Sequence, residues 1–271
     1  MTQPHTSDNI CHPLRNPEQI RLGITGGIGS GKSYVSHMLA EEWSVPVYDC
    51  DSRAKYLTAH SEQIREALVS IVGEHLWQDG ILQKAILAEY LFASKEHAAQ
   101  VNAIIHPAVW QDFLAWAEEH AQHPVVAMES AILCESGFHQ LVDCIMLVDC
   151  DEEVRIGRAM ARDGADARQI RARMALQTDA LAKGAARYVI HNDDHPQIPL
   201  KQQLDRVMDD LQSGWAASIC CATPSKPLQH SCSYPSSSSS LQSSSWRRSS
   251  SSTTNTVGMS GSLAMGLHHP F

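Results

Sequence analysis

The stretch Gly26-Gly27-Ile28-Gly29-Ser30-Gly31-Lys32-Ser33 limits what this chain can fold into more than any other. It fits G-x-x-x-x-G-K-[ST], a loop whose glycines let the backbone curl until several N–H groups face one anion. Such a loop belongs between a buried strand and a helix, because the positive N-terminal end of the helix completes the anion site. The flanks supply both. Ile20-Arg21-Leu22-Gly23-Ile24-Thr25 reads as a short buried strand, and Tyr34 to Glu42 reads as a helix. Gly26, Gly27, Gly29, Ser30, Gly31 and the backbone N–H of Tyr34 are then candidate phosphate contacts. Lys32 can reach the β- and γ-phosphates of a nucleotide, and the Ser33 hydroxyl can bind Mg²⁺.

Strand and helix signals alternate from Ile20 onward. Further strands are expected at Val45–Tyr48, ending in Asp49-Cys50-Asp51, and at Val125–Met128, ending in Glu129. Two more are expected at Cys144–Asp149 and Ala186–Ile190, and a last helix from about Ile198 to Leu211. Alternation of this kind implies an α/β fold with a parallel sheet and helices on both faces. Ligands then bind at the carboxyl ends of the strands. The phosphate loop, Asp49, Asp51 and Glu129 all fall at such ends. Residues from about 61 to 120 read as helical with no clear strand. Gly73 and Gly80 bracket a turn there, and His106-Pro107 separates two helices. That is too long for a plain crossover and suggests an inserted helical substrate-binding subdomain, with Trp77, Trp110 and Trp116 in its packing.

Other motifs narrow the chemistry. Neither the D-x-x-G nor the N-K-x-D string of GTPases occurs, and the L-S-G-G-Q signature of transport ATPases is absent. A small-molecule kinase remains. A carboxylate at Asp49 or Asp51 could take the proton of an attacking hydroxyl and help place Mg²⁺. Asp51 fits a helix N-cap equally well. Glu129 could hold Mg²⁺ through water, or be an ordinary strand-end carboxylate. Arg155, Arg158 and Arg162 stand at i, i+3 and i+7 of one helix face, with Asp163-Gly164 ending the helix and Arg168, Arg171 and Arg173 following. This segment could close over ATP as a lid and neutralise charge on the transferred group. A solvated helix pairing its arginines with Asp151, Glu152 and Glu153 is the competing reading.

The chain has 271 residues and a formal net charge of −9. Of its 21 basic and 30 acidic residues, the last 60 positions hold three basic ones and no acidic one. The remainder is therefore clearly acidic, which argues against nucleic acid or an anionic membrane as partner. No apolar run of 18 residues exists, and the N-terminus lacks a signal-peptide core, so neither secretion nor membrane spanning is expected. None of the eight cysteines has C-x-x-C spacing. Buried free thiols in a reducing cytoplasm fit that usage. Residues 1–19 read as a loose leader. Residues 214–271 are serine-rich without apolar periodicity, so disorder is expected there. A regulatory tail and a translated frameshift or read-through both fit that segment.

The motifs together resemble one family. Gly23 to Ser33 looks like the opening of dephospho-CoA kinases, and Asp49-Cys50-Asp51 resembles their D-A-D with Cys50 in place of Ala. Ile105-His106-Pro107-Ala108-Val109 is similar to their H-P-x-V segment, and Arg158-Ala159-Met160-Ala161-Arg162-Asp163 to their lid motif. Arg173–Gln177 and Tyr188–Asp193 match two later blocks in the right order. The resemblance spans about Ile20 to Leu211.

It implies an α/β phosphate-loop kinase fold: a parallel five-stranded sheet flanked by helices, with a kinase unit at 20–213. The helical insertion lies at about 61–120 and the lid at about 151–177. The implied reaction moves the γ-phosphoryl group of ATP, with Mg²⁺, to the ribose 3′-hydroxyl of dephospho-CoA, the last step of coenzyme A synthesis. Asp51, in preference to Asp49, would be the base. Arg158 and Arg162 would serve the lid, and Asn192 would lie near the adenine. His106 and Lys84 would contact the acceptor, with Lys84 standing where the family has Arg. Tyr34 replaces a Thr, and Glu129 and Ala131 replace an Asp and a Pro. The alternatives are another nucleotide or sugar kinase of the same fold, or a nucleotide-binding regulator without an acceptor. Oligomeric state is not legible.

Overall fold

A computed structural model describes residues 19–213 except 176 and 178; the leader before residue 19 and the serine-rich tail lie outside the described residues. The order is β1 (Ile20–Thr25), α1 (Lys32–Trp43), β2 (Val47–Asp49), α2 (Cys50–His60) and α3 (Glu62–Val72). A hairpin of β3 (Trp77–Gln78) and β4 (Ile81–Leu82) follows, then α4 (Lys84–Ala93), α5 (Lys95–Glu119) and β5 (Val125–Glu129). The chain continues through β6 (Cys144–Asp149), α6 (Glu152–Asp163), α7 (Ala167–Met174), α8 (Asp179–Ala185), β7 (Tyr188–His191) and α9 (Leu200–Ser213).

Five strands form one parallel sheet in the order β2-β5-β1-β6-β7. Every residue of β1 is buried, as expected for a central strand covered on both faces. Leu22 and Ile24 point to one face, where Val35 and Leu39 of α1 and Val207 and Leu211 of α9 complete a core. Met128, Ile145 and Leu147 point to the other, against Ala54 of α2 and Leu68, Leu87, Val101 and Phe113 of the insertion. The insertion thus shares a core with the sheet. Because β5 and β6 flank β1 on opposite sides, the chain reverses direction across the sheet at the end of β1, where the loop begins. That is the crevice in which open α/β sheets bind ligands.

The five strands fall where the sequence pattern places them, with ends shifted by one or two residues. Two details of the insertion differ. A hairpin sits where a turn but no strand was expected, because Asp79 and Gly80 both take left-handed φ (51° and 77°) and close a two-residue turn between strands too short to show periodicity. Pro107 does not separate two helices: α5 runs 25 residues through it. The ring removes one internal hydrogen bond, but Val101, Ile105, Val109 and Phe113 keep one buried face continuous across it.

Candidate active site

The phosphate loop leaves β1 at Thr25 and enters α1 at Lys32. Gly31 has φ 90°, and a Cβ there would lie 2.2 Å from Asn192 Nδ2. Only glycine suits this position, on grounds of both conformation and space. Asn192 is buried and donates to the Ser30 carbonyl at 2.8 Å, so the residue after β7 braces the loop from behind. The N-terminus of α1 has no side-chain cap and no acidic residue in its first turn. Its positive end therefore faces the loop with no acidic residue of the helix itself to offset it.

Lys32 Nζ lies over the loop, donating to Gly26 O at 2.8 Å and Gly27 O at 3.4 Å. Burial lowers its pKa, while Glu129 and Asp51 oppose that shift. Ser33 Oγ donates to Glu129 Oε1 at 2.8 Å, joining the two expected metal-side residues. Glu129 is the register partner of Asp49 across β5 and β2, which sets both carboxylates at the same edge of the sheet.

The two aspartates part company there. The strand ends at Asp49, so they do not share a strand face. Asp49 is the N-cap of α2, accepting from the backbone N–H of Asp51 at 3.0 Å and of Ser52 at 3.1 Å, and from Ser52 Oγ at 2.6 Å. The cap expected as a rival role for Asp51 is thus filled by Asp49. Asp51 stands in the first helical turn, and its pKa is raised by burial and then by Asp49, against the pull of Lys32 and Lys55.

The segment from α6 to Gln177, expected to be a lid, grips the loop at Ile28. Its N–H donates to Gln177 Oε1 at 2.7 Å, and its carbonyl accepts from Arg155 Nε at 2.9 Å. Its side chain is buried with Ile156, Ala159 and Ile170 of α6 and α7. Arg155 also lies against Gly27, where a Cβ would come within 1.9 Å of its Nη2. Arg158 turns toward the strand-end loop, donating to Asn192 O and to Asp194 Oδ1, each at 2.8 Å. Arg162 is exposed and shares Asp163 with Arg173, which holds the Asp163 carboxyl down to about 2. Arg171 pairs with Glu153 at 2.9 Å, as the solvated-helix reading expected.

Tyr34 is exposed on the first turn of α1, and Lys84 is exposed on the first turn of α4. His106 is half-buried beside the Phe138 ring at 5.4 Å, and burial lowers its pKa. No hydrogen bond or ion pair joins Lys84 or His106 to the loop, Asp51 or Glu129 among the described residues. Arg155 and Gln177 are the residues whose parts sequence reasoning did not assign. The i, i+3, i+7 spacing contained Arg155 but could not say which arginine meets the loop. The four described cysteines, Cys50, Cys134, Cys144 and Cys150, are buried and free. Among the described residues, no helix is long and apolar enough to cross a membrane. A cavity of about 410 Å³ opens at the end of β7, lined in part by Asp151, His191 and Asp193.

A phosphate loop, a half-buried lysine, a hydroxyl–carboxylate pair, an aspartate left out of the helix cap and a basic helix at the switch point of a parallel sheet define a phosphate-loop phosphotransferase. Residues 20–197 match the dephospho-CoA kinase family. The chain is 45% identical over 197 residues to the dephospho-CoA kinase of Porphyromonas gingivalis, covering 72% of this chain and 95% of that protein. It is 46% identical over 182 residues to that of Bacteroides fragilis strain YCH46, covering 66% and 88%. Among solved structures, TT1252 from Thermus thermophilus superposes with a TM-score of 0.56 at 27% identity, covering 76% of this chain and 99% of that one. The dephospho-CoA kinase from Campylobacter jejuni shares the fold with a TM-score of 0.53 at 21% identity, covering 72% and 98%. The chain belongs to the dephospho-CoA kinase family. It is a kinase, with ATP as its co-substrate.

Proposed function

We propose that the protein transfers the γ-phosphoryl group of ATP to the ribose 3′-hydroxyl of dephospho-CoA, giving CoA and ADP, the last step of coenzyme A synthesis. Family membership supports the substrate. The observation that carries the chemistry is the division between the aspartates: Asp49 is spent on the helix cap, while Asp51 keeps its carboxylate beside Lys32. Asp51 accepts the proton of the 3′-hydroxyl as that oxygen attacks the γ-phosphorus. The bond to the β–γ bridging oxygen breaks, and ADP leaves. Lys32 and the loop N–H groups hold the β- and γ-phosphates, and Arg155, Arg158 and Arg162 line the lid side of the transferred group. The adenine end lies near Asn192. The insertion at about 61–120 binds the acceptor, with His106 and Lys84 on its surface.

Ser33 and Glu129 fit Mg²⁺. Both offer hard oxygen atoms, and Mg²⁺ is usually held by one or two such groups together with substrate phosphates and water. When bound, the ion neutralises charge on the β- and γ-oxygens. We place the protein in the cytoplasm, where the four buried thiols among the described residues stay reduced. Nucleic acid and membrane are not proposed as partners.

Incubation of the purified protein with ATP, Mg²⁺ and dephospho-CoA tests the reading. Stoichiometric CoA and ADP are expected, with a panel of nucleoside monophosphates and sugars as alternative acceptors. Turnover of a nucleoside monophosphate but not of dephospho-CoA overturns the acceptor. ATP binding without any product overturns the reaction.

A further inference from the structure

On the acceptor side of the site, one carboxylate gathers three elements. Asp112, on the half of α5 that follows Pro107, accepts from Arg53 twice, from Nε at 2.8 Å and Nη2 at 2.6 Å. It also accepts from the buried Tyr48 phenol at 2.6 Å. Tyr48 immediately precedes Asp49 on β2, and Arg53 stands two residues after Asp51 on α2. The Asp49-Cys50-Asp51 segment is therefore bracketed by two side chains tied to the same group. The Tyr48 ring packs edge-on against Phe113 and Trp116 of α5, with centroids 5.3 and 5.4 Å away. The Arg53 guanidinium lies 4.9 Å from the Tyr56 ring.

Apolar packing alone sets α2 poorly. The residues it buries fully are Cys50, Ala54 and Thr58, all small, and Leu57 is the one larger apolar residue it packs partly buried against the core. Such a face presents shallow ridges to its neighbours and resists sliding or turning weakly. A two-pronged arginine–carboxylate pair fixes both separation and rotation. The side chains of Asp112 and Arg53 are only 19% and 39% exposed, so the pair is partly shielded from water.

We propose that Asp112 is a positioning residue for phosphoryl transfer: through Arg53 and Tyr48 it holds the first turn of α2, and with it Asp51, against the helical insertion. The inference rests on the reading of Asp51 as the base. Asp112 itself touches no reacting atom. In-line attack with proton transfer needs its groups placed to about 1 Å, and an error of that size costs roughly 100-fold in rate.

A double-mutant cycle on the full-length protein tests this. Asp112→Asn and Arg53→Met should each lower kcat roughly 10- to 100-fold while leaving the KM for ATP within about twofold. The double variant should be no slower than the worse single one, because the two side chains act as a unit. Tyr48→Phe keeps the buried ring, should fold as the parent does, and should lower kcat about threefold. A lower melting temperature with normal kcat in the folded variants means a merely structural role and overturns the proposal. Additive losses also overturn it, as does a raised KM for the acceptor with kcat unchanged, which would make Arg53 a substrate contact. If the parent protein phosphorylates an acceptor other than dephospho-CoA, the same cycle is run on that acceptor. Failure of the functional reading and failure of this one are thereby distinguished.

Discussion

The halves of this site proposed for the nucleotide and for the acceptor are held by different means. The phosphate loop is gripped through its backbone: Asn192 on the Ser30 carbonyl, Gln177 and Arg155 on the Ile28 peptide, and Lys32 on the carbonyls of Gly26 and Gly27. The start of α2 is gripped through side chains, by the Asp49 cap and by Arg53 and Tyr48 on Asp112. Backbone grips demand glycine at fixed spacings, so they write a motif into the sequence. Side-chain grips demand only that two groups meet in space, and Arg53 and Asp112 are 59 positions apart. One half therefore tolerates little change in its pattern, and the other can be rebuilt from different residues.

The comparison breaks most sharply at the aspartates. Asp51→Asn should lower kcat about 10²- to 10⁴-fold, the usual worth of a general base, with ATP affinity within about threefold. Asp49→Ala should instead cost about 1 kcal/mol of stability from the lost cap, measured by denaturant unfolding. If the two outcomes are exchanged, the base is Asp49 and the division of labour falls. Because Asp51 must be ionised to accept a proton, and burial raises its pKa, the acid limb of kcat should lie above that of an ordinary aspartate.

On the nucleotide side, Gly31→Ala forces a side chain into φ 90° and onto Asn192. ATP binding, read by calorimetry, should weaken roughly 10- to 100-fold while the acceptor KM stays near its parent value. An equal loss for both substrates would mean that the halves are not held independently. Gln177→Leu removes the bond to the Ile28 N–H and should raise the KM for ATP about 3- to 10-fold.

The smallest effect concerns stability. The folded state binds a proton at Asp51 more tightly than the unfolded chain does, so ionised Asp51 costs stability. That cost is fully present above the raised folded pKa and vanishes below the ordinary carboxylate range. Asp51→Asn should therefore raise the melting temperature at pH 7 by a few degrees at most, with the gain fading toward pH 4. A loss of stability at pH 7 would mean that Asp51 is a structural residue like Asp49.

Much of the fold was legible because its signals are local. Cys144–Asp149 is an unbroken apolar run ended by an acidic residue, and it is a buried central strand as read. Ser33 and Glu129 were both named from their positions at the ends of the loop and a strand, and a 2.8 Å hydrogen bond joins them. A turn ending at Gly80 was legible, but the strands that flank Asp79-Gly80 were missed because two-residue strands carry no period. The break expected at Pro107 did not occur because tertiary burial outweighed the one missing hydrogen bond. Among the lid arginines, the helical spacing identified a basic face but not a rank order. Arg155 meets the loop because it lies about two turns nearer the start of α6 than Arg162, beside Ile28, whereas Arg162 lies at the exposed end with Asp163.

By itself the sequence determined the parallel sheet, the phosphate loop at its switch point and the family, since each rests on backbone conformations that few residue patterns allow. Tertiary structure alone decided which aspartate caps and which stays free, which arginine touches the loop, and that α5 anchors α2. Those are contacts between groups far apart in the chain, and their energies depend on burial and distance, which no local pattern encodes.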